Sequence, residues 1–120
     1  MTEIQNSKQY DLEERTMAYA ASVRKFVKSV PRTPINQNDL IQLLRSSGSV
    51  GANYIEANES ISRKDFVHRV KICRKEVKES IYWLKLLDVA NNQLNQERNR
   101  LINEATELMK IFGSIIEKSK

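Results

Sequence analysis

The sequence predicts an all-α protein, an up-down-up-down antiparallel four-helix bundle. Apolar residues recur every three or four positions along four successive segments, which is the spacing of one face of a helix. The 120 residues include only three glycines and two prolines, too few for the turns of a many-stranded sheet. Because the connections between the segments are short, we expect consecutive helices to be antiparallel neighbours.

An apolar stripe that ends at two prolines marks the first helix. The stripe consists of Leu12, Thr16, Tyr19, Ala20, Val23, Phe26, Val27 and Val30. Pro31 and Pro34 of "PRTP" then stop the helix. Residues 1–9 have no such stripe, so we predict a flexible tail there, followed by a single domain over residues 10–120.

The second helix runs through a segment of small residues, "RSSGSVGANYIEA" (residues 45–57). Asn36 or Asn38 is the expected N-cap. A phosphate-binding loop would need a lysine after the glycines and a preceding strand, and the sequence has neither. Each glycine costs a helix about 1 kcal/mol relative to alanine, but small side chains let a neighbouring helix approach closely. We therefore predict continuous helix through Gly48 and Gly51.

The third and fourth helices show the same periodicity. The stretch "SRKD", residues 62–65, is a variant of the capping box, and the helix that it opens meets no breaker before about Ala90. The fourth helix has the clearest apolar stripe of the chain: Leu94, Leu101, Ile102, Ala105, Leu108, Met109, Phe112, Ile115 and Ile116.

A row of polar residues lies along one side of the second helix. Arg45, Ser49, Asn53 and Glu56 are separated by four, four and three positions and so share a face. The row is either a hydrogen-bond network between helices or a recognition site. Charged residues beside an apolar stripe usually need partners, so we expect Arg45 and Glu56 to bond to other helices.

The positive charge is concentrated on the third helix. The chain carries a net charge of +5, and residues 62–92 contain eight basic and four acidic residues. Six cations on one side of this helix form what we call the basic flank: Lys64, Lys71, Arg74, Lys75, Lys78 and Lys85. Such a flank is either an ordinary solvated face or a surface that follows a phosphate backbone. Four cations near the end of the first helix are candidates to extend it: Arg24, Lys25, Lys28 and Arg32.

A second apolar surface lies on the other side of the third helix. We call Ile72, Trp83 and Leu86 the apolar flank. It is either a wide contact with a neighbouring helix or an oligomer interface, because aromatic residues beside aliphatic ones are typical of interface cores.

Catalytic and metal-dependent functions find little support in the residue inventory. With His68 as the only histidine, a bundle di-iron site or a Cys/His zinc site lacks its ligands. Cys73 lies on the apolar stripe of the third helix and is expected to be a buried thiol rather than a reactive one. We predict no enzyme activity, no catalytic residue, no cofactor and no metal.

The chain is expected to be cytoplasmic and without a membrane partner. Its N-terminus lacks the apolar core of a signal peptide, and no apolar run approaches the roughly 20 residues that span a bilayer. The single cysteine can form no internal disulfide, which agrees with a reducing compartment.

"RSSGSVGANYIEA", followed by "SRKDFVHRVKICRKEVKESIYWLKLL", resembles a known family. These are the small four-helix-bundle proteins encoded in intervening sequences of bacterial large-subunit ribosomal RNA genes, which are often labelled ribosomal proteins. The resemblance runs from about Tyr10 to Ile116. The family's S-x-x-x-N-x-x-E pattern falls on Ser49, Asn53 and Glu56.

Further family positions fall on the third helix. The acidic-aromatic pair of the family corresponds to Asp65 and Phe66, and its later helix glutamate corresponds to Glu79. We therefore include Glu79 with Arg45, Ser49, Asn53 and Glu56 in the predicted structural polar network.

The resemblance also implies a function. It implies a non-enzymatic bundle that assembles into a ring, with a homopentamer as the favoured form. The related accessory variability protein of diversity-generating retroelements implies nucleic-acid binding and a protein partner such as a reverse transcriptase. We predict an oligomeric protein that binds RNA or DNA through the basic flank with low sequence specificity. The alternative is a protein-interaction scaffold that binds no nucleic acid.

Overall fold

Four long helices joined by short connections make up the computed structural model. They are α1 (Thr2–Val27), α2 (Pro34–Asn58), α3 (Arg63–Leu86) and α4 (Asn92–Lys118). The structure describes the backbone of residues 2–120 and the side chains of residues 12–120. Each helix packs against the next, and α4 also packs against α1. The predicted four-helix bundle is confirmed. The tail predicted at residues 1–9 lies outside the residues whose side chains are described.

Side-chain caps fix where three of the helices begin. The Thr33 hydroxyl accepts a hydrogen bond from the backbone N–H of Asn36 at 3.2 Å, and Pro34 takes the first helical position, where its missing N–H is not needed. Ser62 and Asn91 cap α3 and α4 in the same way. The prediction that an asparagine caps α2 is wrong, because Asn36 lies inside the first turn.

Asn36 instead joins the two connections at one end of the bundle. Its side chain is fully buried and donates to the backbone carbonyls of Pro31 at 3.0 Å and Asp88 at 2.8 Å. The N–H of Asp88 donates back to Asn36 Oδ1 at 2.9 Å. Both backbone groups of Asp88 are thus bonded to Asn36, so α3 ends at Leu86 rather than near Ala90.

The core between the helices combines apolar packing with one central hydrogen bond. Val23, Leu43, Val77 and Leu108 are fully buried and come from the four different helices. The hydroxyls of Tyr19 in α1 and Ser80 in α3 lie 2.7 Å apart across the bundle. Burial raises the pKa of Tyr19 to about 12, so its hydroxyl stays protonated at neutral pH.

Small residues in α2 permit a close approach of α1. The helix is continuous through both glycines, as predicted. A Cβ added at Gly51 would lie 3.0 Å from Thr16 Oγ1 and 3.3 Å from Thr16 Cβ, whereas one at Gly48 would lie 3.9 Å from the nearest guanidinium nitrogen of Arg24. Only Gly51 is therefore required by the packing, and Gly48 is not.

This difference predicts opposite tolerance of the two glycines. Gly48→Ala should raise the free energy of unfolding by about 0.5–1 kcal/mol, because alanine costs a helix less entropy than glycine. Gly51→Ala has the same advantage but crowds Thr16, so it should be about 1–3 kcal/mol less stable than Gly48→Ala. Urea unfolding of the two variants measures the difference. Equal gains would show that α1 and α2 can separate slightly without cost.

Candidate nucleic-acid interface

The basic flank lies along the outer side of α3. Five of its six residues are exposed and Arg74 is half-buried. At 1.5 Å per residue the row from Lys64 to Lys85 is about 30 Å long. None of the six belongs to an ion pair within residues 12–120, so their charges remain available to a partner.

Two carboxylates of α3 pair with Arg45 of α2: the buried Glu76, and Glu79, which borders the basic flank four residues after Lys75. Arg45 Nη2 donates to Glu79 Oε1 at 2.8 Å, and Arg45 Nη1 lies 3.4 Å from Glu76 Oε1. The second contact is an ion pair without hydrogen-bond geometry. Glu76 Oε1 is buried and has no hydrogen-bond partner within the described side chains. Arg45 thus gives both carboxylates a positive partner, although its single charge offsets only one of the two negative charges.

A second polar link joins α2 and α3 further along. Arg69 Nη1 donates to Asn53 Oδ1 at 3.2 Å, while Asn53 Nδ2 donates to the backbone carbonyl of Ser49 at 2.9 Å. The structure therefore brings three members of the predicted polar network into contacts between these helices: Arg45, Asn53 and Glu79. Ser49 takes part through its backbone carbonyl.

Glu56 does not join this network. Its side chain is exposed, and its backbone carbonyl accepts bonds from the Glu59 N–H and the Ser60 hydroxyl within the last turn of α2. Among the side chains of residues 12–120 the Glu56 carboxylate has no bond to another helix, so the prediction of such a bond is wrong there; Glu56 shares a face with Arg45 but lies exposed in the last turn of α2. Two partners were missed, Glu76 and Arg69. The position of Glu76, three residues before Glu79 on the same side of α3, was the available signal.

The contacts of the network predict that alanine substitutions of its members will lower the free energy of unfolding by different amounts. Arg45→Ala should lower the free energy of unfolding by about 1–2 kcal/mol, because it leaves the buried Glu76 carboxylate without a counter-charge. Glu79→Ala should cost less than about 1 kcal/mol, since that pair is partly exposed. The matched control Glu56→Ala should stay within about 0.5 kcal/mol of wild type. If Arg45→Ala unfolds in urea like Glu56→Ala, the pairing with Glu76 contributes nothing.

The predicted apolar flank divides into buried and exposed parts. Trp83 is half-buried and packs against the core, and Ile72 is half-buried. Leu86 is 47% exposed. Leu86 is therefore the member most accessible to a partner, and the predicted interface role of the flank stays a prediction.

The cations near the end of α1 form a separate surface. All four are exposed, but the neighbours of α1 are α2 and α4, and α3 lies across the bundle, where Tyr19 reaches Ser80. The guanidinium of Arg24 lies near Gly48. Lys25 lines a groove of about 400 Å³ between α1 and α4, together with Phe26 and Arg100. Within one chain these cations do not extend the basic flank.

Cys73 is fully buried in the core. Burial raises the pKa of its thiol to about 12, so the nucleophilic thiolate is scarce at neutral pH. Among the residues that the structure describes, no group of three His, Cys, Asp or Glu side chains is placed to hold a metal ion. In the same part of the chain, no helix has the length and apolarity to cross a membrane.

The fold and this surface define a small all-α bundle with a basic outer helix. The family described as 23S rRNA-intervening sequence protein matches residues 8–114, and the chain belongs to that family. Its solved relatives include a crystal structure of a protein with unknown function from the S23 ribosomal protein family of Bacteroides thetaiotaomicron. That chain is 30% identical, with a TM-score of 0.73, and the match covers 87% of this chain and 96% of that one.

A comparison with curated proteins found no match. The predicted family membership is therefore confirmed by the family match and the solved structure together. The relationship to the accessory variability protein of retroelements stays a prediction.

Proposed function

We propose that the chain is a non-enzymatic protein that binds RNA or DNA through the basic flank, with low sequence specificity. The observation that carries this proposal is the row of cations on the outer side of α3. Within residues 12–120 the six cations have no ion-pair partner, while Glu76 and Glu79 pair with Arg45 of α2. A surface with cations and few carboxylates attracts polyanions over several ångströms.

The geometry of the flank favours contacts with the phosphate backbone. Duplex DNA carries about one negative charge per 1.7 Å of its axis, so a row of about 30 Å can lie beside several phosphates. Lysine and arginine contacts to phosphate position a protein but carry no sequence information. A single straight flank therefore supports weak, salt-sensitive and sequence-tolerant binding.

The test is a charge reversal on the flank. Lys71→Glu combined with Lys75→Glu and Lys78→Glu should abolish gel retardation of both RNA and duplex DNA, because repulsion replaces three phosphate contacts. In wild type, a plot of the logarithm of the association constant against the logarithm of the salt concentration should have a slope of about −0.9 for each duplex phosphate contacted. Helix content measured by circular dichroism should not change.

A matched control reverses three exposed lysines on α4 and beyond it: Lys110→Glu, Lys118→Glu and Lys120→Glu. It changes the net charge equally and should retain most of the binding. Retardation that survives reversal of the basic flank, or wild type that binds neither nucleic acid at low salt, would contradict the proposal and favour the scaffold alternative.

Exposed aliphatic residues support a second candidate function, self-assembly or protein interaction. Ile41 and Ile55 on α2 and Leu86 on α3 are each about half exposed, although water disfavours such surface. We propose that this surface contacts further copies of the chain, with the pentamer implied by the family resemblance as the favoured number. A protein partner such as a reverse transcriptase belongs to the same proposal, and the cytoplasm is the proposed compartment.

Leu86→Glu tests this assembly. Light scattering of wild type at tens of micromolar should give a multiple of the 13.9 kDa chain mass, and the variant should give a smaller mass because a carboxylate is costly to bury. Met17→Glu is the matched control, since Met17 is 69% exposed and lies on α1, which carries none of the three residues of the proposed surface. A wild-type mass near that of one chain would refute the assembly.

A further inference from the structure

Tyr82 is an exposed aromatic residue on α3. Among the residues whose side chains are described, it is the only Phe, Trp or Tyr that is exposed, at 58%. The sequence alone gave it no clear role. An exposed tyrosine ring offers a flat apolar surface of the kind on which bases stack in proteins that bind single-stranded nucleic acid.

The ring of Tyr82 is held in place by its neighbour. It contacts Trp83 edge to face, with ring centroids 5.0 Å apart and an interplanar angle of 77°. Trp83 in turn packs against the core. A ring supported in this way loses less rotational freedom on binding than a free surface side chain, and this favours contact with a ligand.

Cations of the basic flank lie on both sides of this ring along the helix. Lys78 precedes Tyr82 by four residues and Lys85 follows it by three, so all three share one side of α3. Both lysines are exposed and neither has an ion-pair partner in the described part of the chain. Phosphates on either side of a base placed on the ring would therefore meet positive charge.

We propose that Tyr82 is a stacking platform for an unpaired base, so that the basic flank binds single-stranded nucleic acid more tightly than duplex. This inference rests on the proposed binding through the basic flank. The bases of a duplex are already stacked on one another and present only their edges, so a duplex gains the lysine contacts but not the ring contact.

Tyr82→Ala and Tyr82→Phe separate stacking from charge. Fluorescence anisotropy with a labelled oligo-dT and a duplex of equal length measures both affinities. Tyr82→Ala should weaken oligo-dT binding by about fivefold or more, as expected for one lost stacked base, and should leave duplex binding unchanged. Tyr82→Phe keeps the aromatic face and should bind like wild type. Lys78→Gln should weaken both ligands to a similar extent.

Trp83 supplies an internal readout, because it is the only tryptophan of the chain and its ring contacts Tyr82. Saturating oligo-dT should change its fluorescence in wild type and in Tyr82→Phe. Saturating duplex should change the fluorescence of wild type less than oligo-dT does. Saturating oligo-dT should change the fluorescence of Tyr82→Ala less than that of wild type.

The outcomes distinguish the two proposals. If Tyr82→Ala binds oligo-dT like wild type, or loses the same factor for both ligands, stacking is wrong while charge-driven binding stands. If Tyr82→Ala lowers the particle mass in light scattering, Tyr82 is an interface residue and the inference is overturned. If wild type binds neither ligand at low salt, both proposals fail.

Discussion

Arg45 of α2 holds two carboxylates of α3 between the helices. It reaches Glu79 and the buried Glu76, and so gives both negative charges a positive partner. Helical spacing places the six cations of the basic flank on the outer side of α3, and Arg45 offsets part of the negative charge beside them. The charge that α3 presents to solvent therefore depends on a contact inside the bundle.

That contact requires α2 to lie correctly between its two neighbours. On one side, Gly51 lets α2 approach Thr16 of α1. A larger residue at position 51 would crowd the Thr16 side chain, whose hydroxyl is held by a hydrogen bond to the Leu12 carbonyl. At one end, the buried Asn36 binds backbone groups of both connections. Close packing and the buried amide therefore fix the position from which Arg45 reaches α3.

The helices and the core could be predicted from the sequence because periodicity reports which side of each helix is apolar. The role of Asn36 could not be predicted in the same way, because an asparagine just before an apolar stripe is a typical N-cap residue. Only the position of Asp88, distant in sequence, reveals its role as a link between connections.

The candidate site shows the same limit. The six cations of the basic flank follow from helical spacing, but the partners of Arg45 and Asn53 do not, because a long side chain can reach several positions on a neighbouring helix. Glu56 has the right residue type and spacing for a network, yet it lies exposed in the last turn of α2. Spacing assigns a residue to a side of its own helix. The packing of the helices determines whether that side contacts a neighbouring helix or solvent.

Tyr82 and Trp83 show how a stable bundle can also present a binding surface. Trp83 packs against the core, and burial there stabilises the fold. Tyr82 packs edge to face against it and leaves most of its ring in solvent. The described part of one chain offers a single such ring among a few lysines, which is a small surface for a flexible polymer. Assembly of several copies would place several of these surfaces on one particle, and each bound segment would raise the effective concentration of the next. Self-assembly and nucleic-acid binding are therefore compatible roles for this bundle, since the first would strengthen the second without any new contact within a chain.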